Sequence, residues 1–570
     1  MSMHQQTGNT MLFNPSQRRI RSALPTGRAC RFSLTMILSV CAALGGPESA
    51  AKADDSLAPK IDALIDAAHD GPAAPPATDA EFLRRTCLDF AGRIPTAQET
   101  RSFLADENPQ KRTALIDQLL NSPEFSHRMT DAMHVMLMER MGDNEEWKAF
   151  LQNSFAQNRP WNEIVRDILH PDAENEQTRG SAFFLTKRLE KYGQNPVDLP
   201  GLTRDVGRLF LGVDLQCAQC HDHLFVDDYT QADFQGLYTF ISHTAIRQDT
   251  DFPAIAEKLV TAKTEFMSVF TQEPQSTGPR LPGGEEVELA TFAEGEEYLQ
   301  PPDRNTNFPG IPRFSPLTIL SEQLPTAENA AFCRNSVNRF WFLLMGRGLV
   351  EPLDLHHTEN PPSHPELLDL LAHEFAAQNF DVKWLLGQLA RTKTYQRSSR
   401  LSDADKVPLD NYRVALERPL SAEQLLAGML IATGRRSQAT ADESTGDASN
   451  EENDPFAQEL KAFREAFAAV PREPEHEFAP SVKAALFLLN DPLVLSWLEP
   501  KPGSTVATAA ALDDAAAAEF IYLTVLSRNP TDEEKQEVVD LLSGSGDARA
   551  DTIRHLVWAL LASTEFCLNH

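Results

Sequence analysis

The feature that most constrains this chain is a period. Its apolar residues recur at three- and four-residue spacing over most of its length, and stretches that alternate apolar with polar are scarce. A repeat near 3.6 residues buries one stripe of a helix, whereas a half-buried strand needs a repeat of two. In PPSHPELLDLLAHEFAAQNF, residues 361–380, Ser363 is placed to cap a helix and Glu366, three later, to complete its capping box. Leu367, Leu370, Leu371 and Phe375 then form one stripe. Thr96 with Glu99 and Thr531 with Glu534 give the same start signal. The expected fold class is therefore mainly α.

Two of those signals belong to a longer echo. RIPTAQE at 93–99 matches RNPTDEE at 528–534, and LLNSPEF at 119–125 matches LLASTEF at 560–566. One helical hairpin used near both ends would explain it. Good helix-start chemistry alone would produce much of the likeness, and that is the preferred reading. Two stretches interrupt the helical text. Residues 272–316 are rich in Pro, Gly and acid and read as a long irregular connection holding a short hairpin around Glu286 to Phe292. Residues 437–455 are polar and acidic without an aromatic and read as a disordered insertion. The expected organisation is thus a helical domain over 54–271, the Pro/Gly-rich connection over 272–316, and a second helical domain over 317–570.

The first 53 residues stand apart. Arg18, Arg19, Arg21, Arg28 and Arg31 precede an apolar run from Phe32 to Leu44, and Ala51-Lys52-Ala53 offers a small-x-small cleavage site. That order reads as a secretory signal peptide cleaved near Ala53; a lipoprotein reading through Cys41 is weaker, because Val40 is a poor residue before the cysteine. No later segment approaches the roughly 20 apolar residues a bilayer needs. The expected location is an exported one, periplasmic or at the cell surface. The net charge is -30 over 570 residues. It becomes more negative on cleavage, since the leader carries six Lys/Arg and one Asp/Glu. Such a chain repels phosphate backbones, which excludes nucleic acid as the expected partner. Five cysteines would remain, Cys87, Cys217, Cys220, Cys333 and Cys567, an odd number that indicates no disulfide scaffold and leaves any pairing of Cys87, Cys333 and Cys567 open.

QCAQCHDH, residues 216–223, concentrates the chemistry. Cys-x-x-Cys-His is the attachment sequence of c-type haem: each thiol adds across one vinyl group and the adjacent imidazole takes the iron. On a helix Cys217, Cys220 and His221 would share a face, as that geometry requires. A redox dithiol is disfavoured, because no βαβ pattern surrounds the motif. A zinc, iron or copper ion is the rival. It could use Cys217, Cys220, His221 and His223 with oxygen from Asp222 or Asp227, but donors packed into residues 217–223 crowd a tetrahedron, so one would come from His243 or His356. For the sixth position of a haem iron, His243, His356, His357 and Met267 are available, with His356-His357 the first choice. His373-Glu374 and His476-Glu477 lack the second His of a zinc-protease helix, and Gly346-Arg347-Gly348 suits a helix end better than a phosphate loop.

Strings such as LRRTCLDFAGRIPTAQETRSFLAD, LFLGVDLQCAQCHDHLFVDDYTQADFQGLYTFI and NSVNRFWFLLMGRGLVEP resemble the paired domains of unknown function fifteen-forty-nine and fifteen-fifty-three. The resemblance covers nearly all of the chain beyond the leader. It implies a secreted, planctomycete-type protein of a group often linked to a separate cytochrome c module, and it implies that Cys217, Cys220, His221, Asp222 and His223 are site positions. The chain departs from that pattern in lacking the additional cytochrome module. It also has DLHHTENPPSHPE, residues 354–366, where relatives usually carry Asp-Phe-Gly. The combined expectation is an exported c-type haem protein in electron transfer with a redox partner protein, serving an oxidative or polymer-degrading pathway. The alternative is a non-haem metal enzyme or metal-stabilised assembly protein built on the same cluster. Substrate and oligomeric state carry no signal in the sequence.

Overall fold

The computed structural model describes residues 56–69, 71–402, 404–435, 455–472 and 482–570. Residues 1–55, with the expected signal peptide, and nearly all of 437–455 lie outside them, apart from Pro455, which begins the helix Pro455–Phe467. Helices carry the fold. Among the described residues the strands form only short antiparallel pairs: Thr244–Ile246 with Ile255–Glu257, Thr264–Met267 with Pro274–Thr277, Tyr298–Gln300 with Ile311–Pro312, and Arg418–Pro419 with Leu568–Asn569. Among the described residues no helix is long and apolar enough to cross a membrane.

Thr96 and Thr531 cap their helices in full capping boxes with Glu99 and Glu534. The echo is more than cap chemistry. Arg93 grips both oxygens of Glu99 at 2.9 Å, and Arg528 grips both of Glu534 at 2.7 Å. Each arginine also meets the glutamate of the returning helix, Glu124 at 3.5 Å and Glu565 at 2.6 Å, where Ser122 and Ser563 cap the same turn. The two segments therefore share an arginine clamp that closes a helical hairpin. Ser363, by contrast, caps nothing. The helix is Pro365–Ala377, preceded by His364, and the Ser363 hydroxyl donates to the Leu349 carbonyl at 3.2 Å. Leu368 takes the fully buried place expected for Leu370.

The apolar interior divides at a different place from the one expected. One core runs from Leu57 to Tyr412 and pools residues from both sides of 272–316. The second gathers residues from Leu420 to Phe566 and draws Leu88 and Ile94 into it. Long-range packing is the reason. Trp161 donates to Ser336 at 3.1 Å and to the Phe380 carbonyl at 3.0 Å, and Asn335 donates to the Leu209 carbonyl at 2.8 Å. The helix Asp79–Ala91 serves both cores, because its buried Arg84 donates to the Phe566 carbonyl at 2.7 Å. Within 272–316 no hairpin forms at Glu286 to Phe292. The Val287 amide instead bonds the Pro279 carbonyl at 2.7 Å, which lays this segment beside Pro274–Thr277.

Candidate functional site

The helix Leu199–Val206 is capped by Asp198, widens into a π-turn over Gly207–Leu211, and stops at Gly212 with φ 72°. Only a residue without Cβ fits there, since a methyl would lie 2.6 Å from the His356 ring. The chain then enters the motif. Asp214 accepts the Gln216 amide at 3.0 Å, and Cys217–Gln219 forms a single 3-10 turn closed by the Cys220 amide on the Cys217 carbonyl at 3.3 Å. Leu215 and Ala218 are both 0% exposed and pin this turn to the core. Three-residue spacing puts Cys217 and Cys220 on the opposite side, free and exposed. Sequence reasoning placed these residues on a helix; the structure puts them on a tight turn, with His221 just beyond it.

The two imidazoles of the motif are spent differently. His221 Nδ1 lies 2.6 Å from the Asp222 carbonyl, which can only accept, so Nδ1 carries the proton and Nε2 keeps its lone pair. His223 Nδ1 accepts the Phe225 and Val226 amides at 3.2 and 3.0 Å, so its proton sits on Nε2 and its free lone pair is used. Asp222 Oδ1 accepts the Gln231 amide at 2.8 Å, at the start of the helix Gln231–Ile241. Ion binding through His223 Nδ1 would thus cost two of the bonds that shape the loop, whereas Asp222 keeps Oδ2 uncommitted. Among the described residues no group of three or more His, Cys, Asp and Glu side chains is placed to hold an ion.

The loop is fastened from two directions. Gln231 reaches the Gln219 and Met267 carbonyls at 3.5 and 3.3 Å, Gln235 reaches the Gln219 carbonyl at 3.1 Å, and the Val269 amide bonds the Cys220 carbonyl at 3.1 Å. The Phe270 ring consequently stands 4.7 Å from the His221 ring. On the other side the Tyr229 hydroxyl donates to the His356 carbonyl at 3.1 Å, and Asp228 accepts the Thr358 amide at 2.5 Å. Burial, then the charge of Asp214, raises the Tyr229 phenol above its usual range. None of Tyr229, Gln231 and Gln235 was singled out from sequence. The one available signal was Thr230 with Asp233, a helix start that sets Gln231 at the first turn.

His356 is brought near only through its backbone. Its ring packs on Gly212 and its Nε2 lies 3.4 Å from Asn338 Nδ2. Burial, and after it the Arg339 charge, hold its pKa at about 4. His357 packs against Tyr229 with ring centroids 5.4 Å apart. His243 bonds its neighbour Ser242 at 2.9 Å, and Met267 is exposed beside the loop. Behind lies a partly buried ionic frame in which Arg208 bonds Glu139 at 2.5 and 2.8 Å, Asp205 at 2.9 Å and Asp354 at 3.1 Å, with Arg339 on the far oxygen of Asp354.

The other cysteines differ in kind. Burial pushes the Cys87 thiol up to about 12 and those of Cys333 and Cys567 to about 11. All three are free, and the last two donate to backbone carbonyls.

Residues 60–245 match the family model PSCyt2, described as a protein of unknown function (DUF1549), and residues 318–480 match PSD1, described as a protein of unknown function (DUF1553). The cysteine turn falls within the first and His356 within the second. No curated protein and no solved structure matches the chain.

Proposed function

Since the chain belongs to the family that joins a PSCyt2 domain to a following PSD1 domain, we propose that it is an exported c-type haem protein that carries electrons. Cys217 and Cys220 would form the thioether bonds and His221 would take the iron. The observation that carries this reading is the hydrogen bond from His221 Nδ1 to the Asp222 carbonyl, which leaves Nε2 as the one unspent imidazole nitrogen of the motif. A proximal histidine needs that tautomer, because the donor bond fixes the ring and raises the basicity of the opposite nitrogen. The thiols fit as well: both are exposed on one side of a turn anchored by Leu215 and Ala218, so neither needs the core to open before it reacts. Phe270 beside His221 supplies an apolar wall suited to a porphyrin.

When bound, the haem supplies a one-electron couple. The residues of this chain hold and tune it. The Asp222 carbonyl orients the imidazole, Gln231 and Gln235 keep the Gln219 carbonyl turned inward, and Tyr229 ties the loop to the 355–360 segment. Export belongs to the same reading, because attachment of haem to Cys-x-x-Cys-His takes place on the export side.

The test is intact-mass spectrometry with a pyridine haemochrome spectrum on protein exported with the maturation machinery. The expected result is one covalent haem, lost in Cys217→Ala/Cys220→Ala. In His221→Ala the haem stays attached, with altered ferric and ferrous bands. A mass equal to the bare processed polypeptide overturns the proposal.

A further inference from the structure

Resting on the haem reading, we propose that the face around the cysteine turn is a docking surface for a basic protein that exchanges single electrons. Leu224, Phe225, Met267, Val269 and Phe270 are 52% to 82% exposed, and all belong to two segments laced together beside Cys220. Soluble proteins rarely leave large apolar side chains gathered in this way unless something covers them.

The charge around this patch selects the partner. Residues 214–230 and 264–276 contain four Asp and two Glu and not one Lys or Arg. Asp222, Asp227, Asp228, Glu265 and Glu273 are all exposed. The two bordering cations are tied down, Arg204 on Gln219 and Lys263 on Glu286, and an apolar centre inside a predominantly acidic rim is the anatomy of a face that steers its partner by charge and seats it by contact. A second copy would bring the same acidic rim and be repelled, as would an anionic membrane. A lysine- or arginine-ringed carrier is attracted. The exchange would be a one-electron step: a haem held by Cys217, Cys220 and His221 would supply the electron that the partner's oxidised centre gains, with no bond formed and no proton moved.

The experiment titrates exported holoprotein with a zinc-porphyrin-substituted, lysine-rich monohaem cytochrome c, followed by calorimetry, which reads association without turnover. Expected is binding at about 10 mM salt that weakens at least about tenfold at about 200 mM. The rim variant Asp227→Asn/Glu265→Gln/Glu273→Gln should show a comparable loss at low salt. Phe225→Ser should weaken binding about fivefold at either salt concentration. No binding, binding indifferent to salt and rim charge, self-association in place of binding, or a preference for phosphatidylserine vesicles overturns the proposal. A haem-bearing chain that fails here overturns this inference alone. A chain exported without haem is recognised by its mass and overturns the haem reading, and with it any electron passing through this face.

Discussion

The loop over 214–230 and the frame behind it touch through a few bonds and obey opposite rules. In the frame Arg208, Glu139, Asp205 and Asp354 satisfy one another, and the half-buried His356 is held neutral against Asn338. In the loop the backbone is bonded at several places while the reactive groups are not. Cys217 and Cys220 are free, and the Nε2 of His221 is unspent. Buried charge has to be neutralised where it lies, whereas a site for a group that arrives later has to keep its donors uncommitted. On the proposed reading the frame serves stability and the loop chemistry.

The sharpest way to break that contrast is to remove the cation of the frame. Arg208→Met strands the Glu139 carboxylate, only 6% exposed, while Asp205 keeps Arg188 and Asp354 keeps Arg339. Loss of one partner from a buried pair costs about 3–5 kcal/mol. Urea unfolding should register a loss of that order, while Cys217→Ala/Cys220→Ala in the haem-free chain should stay within about 0.5 kcal/mol of the parent, as exposed substitutions do. Equal losses would erase the distinction between the two regions.

A smaller effect separates the imidazoles. His356 has its pKa lowered from 6.5 to about 4, so between those values the unfolded chain binds more protons than the folded one. Its contribution to stability is complete above pH 6.5 and is lost as pH falls toward 4, worth roughly 1–3 kcal/mol in all. His364 and His570 are lowered to about 4 as well and add to the same slope. His356→Gln should therefore flatten the fall between pH 6.5 and 4 by one proton's worth without abolishing it, measured as unfolding free energy against pH. An unchanged slope would place His356 outside the frame.

How much of this was legible depended on how local the cause was. Thr96 with Glu99 and Thr531 with Glu534 decide their own surroundings, and their capping boxes form as read. Ser363 carried the same pattern and failed, because its hydroxyl found the Leu349 carbonyl, a partner no window around residue 363 contains. The exposure of Cys217 and Cys220 follows from Leu215 and Ala218 facing the core, but the 3-10 turn follows from Asp214 and the Gln219 carbonyl being held by neighbours up to 16 residues away. The division of the cores was the least legible feature. It rests on pairs such as Trp161 with Ser336 and Arg84 with the Phe566 carbonyl, separated by 175 and 482 residues. The motif showed which donors gather, and bonds within the loop, from His221 to the Asp222 carbonyl and from the Phe225 and Val226 amides to His223, decide which of them stay unspent.

The smallest effect tests the seam between the two regions. Tyr229→Phe deletes the hydroxyl that donates to the His356 carbonyl at 3.1 Å and leaves the ring, 4% exposed, where it packs against His357. One such neutral hydrogen bond is worth about 0.5–1.5 kcal/mol, so global stability should move by no more than that. The loop should respond more than the whole, because this bond and the Asp228 contact with the Thr358 amide tie it to the segment carrying His356. Hydrogen exchange at the Phe225 and Val226 amides, which bond His223, should accelerate in Tyr229→Phe while amides of the helix Ala330–Met345 keep their protection. If both sets accelerate together, the loop and the frame open as one unit and the separation drawn between them fails.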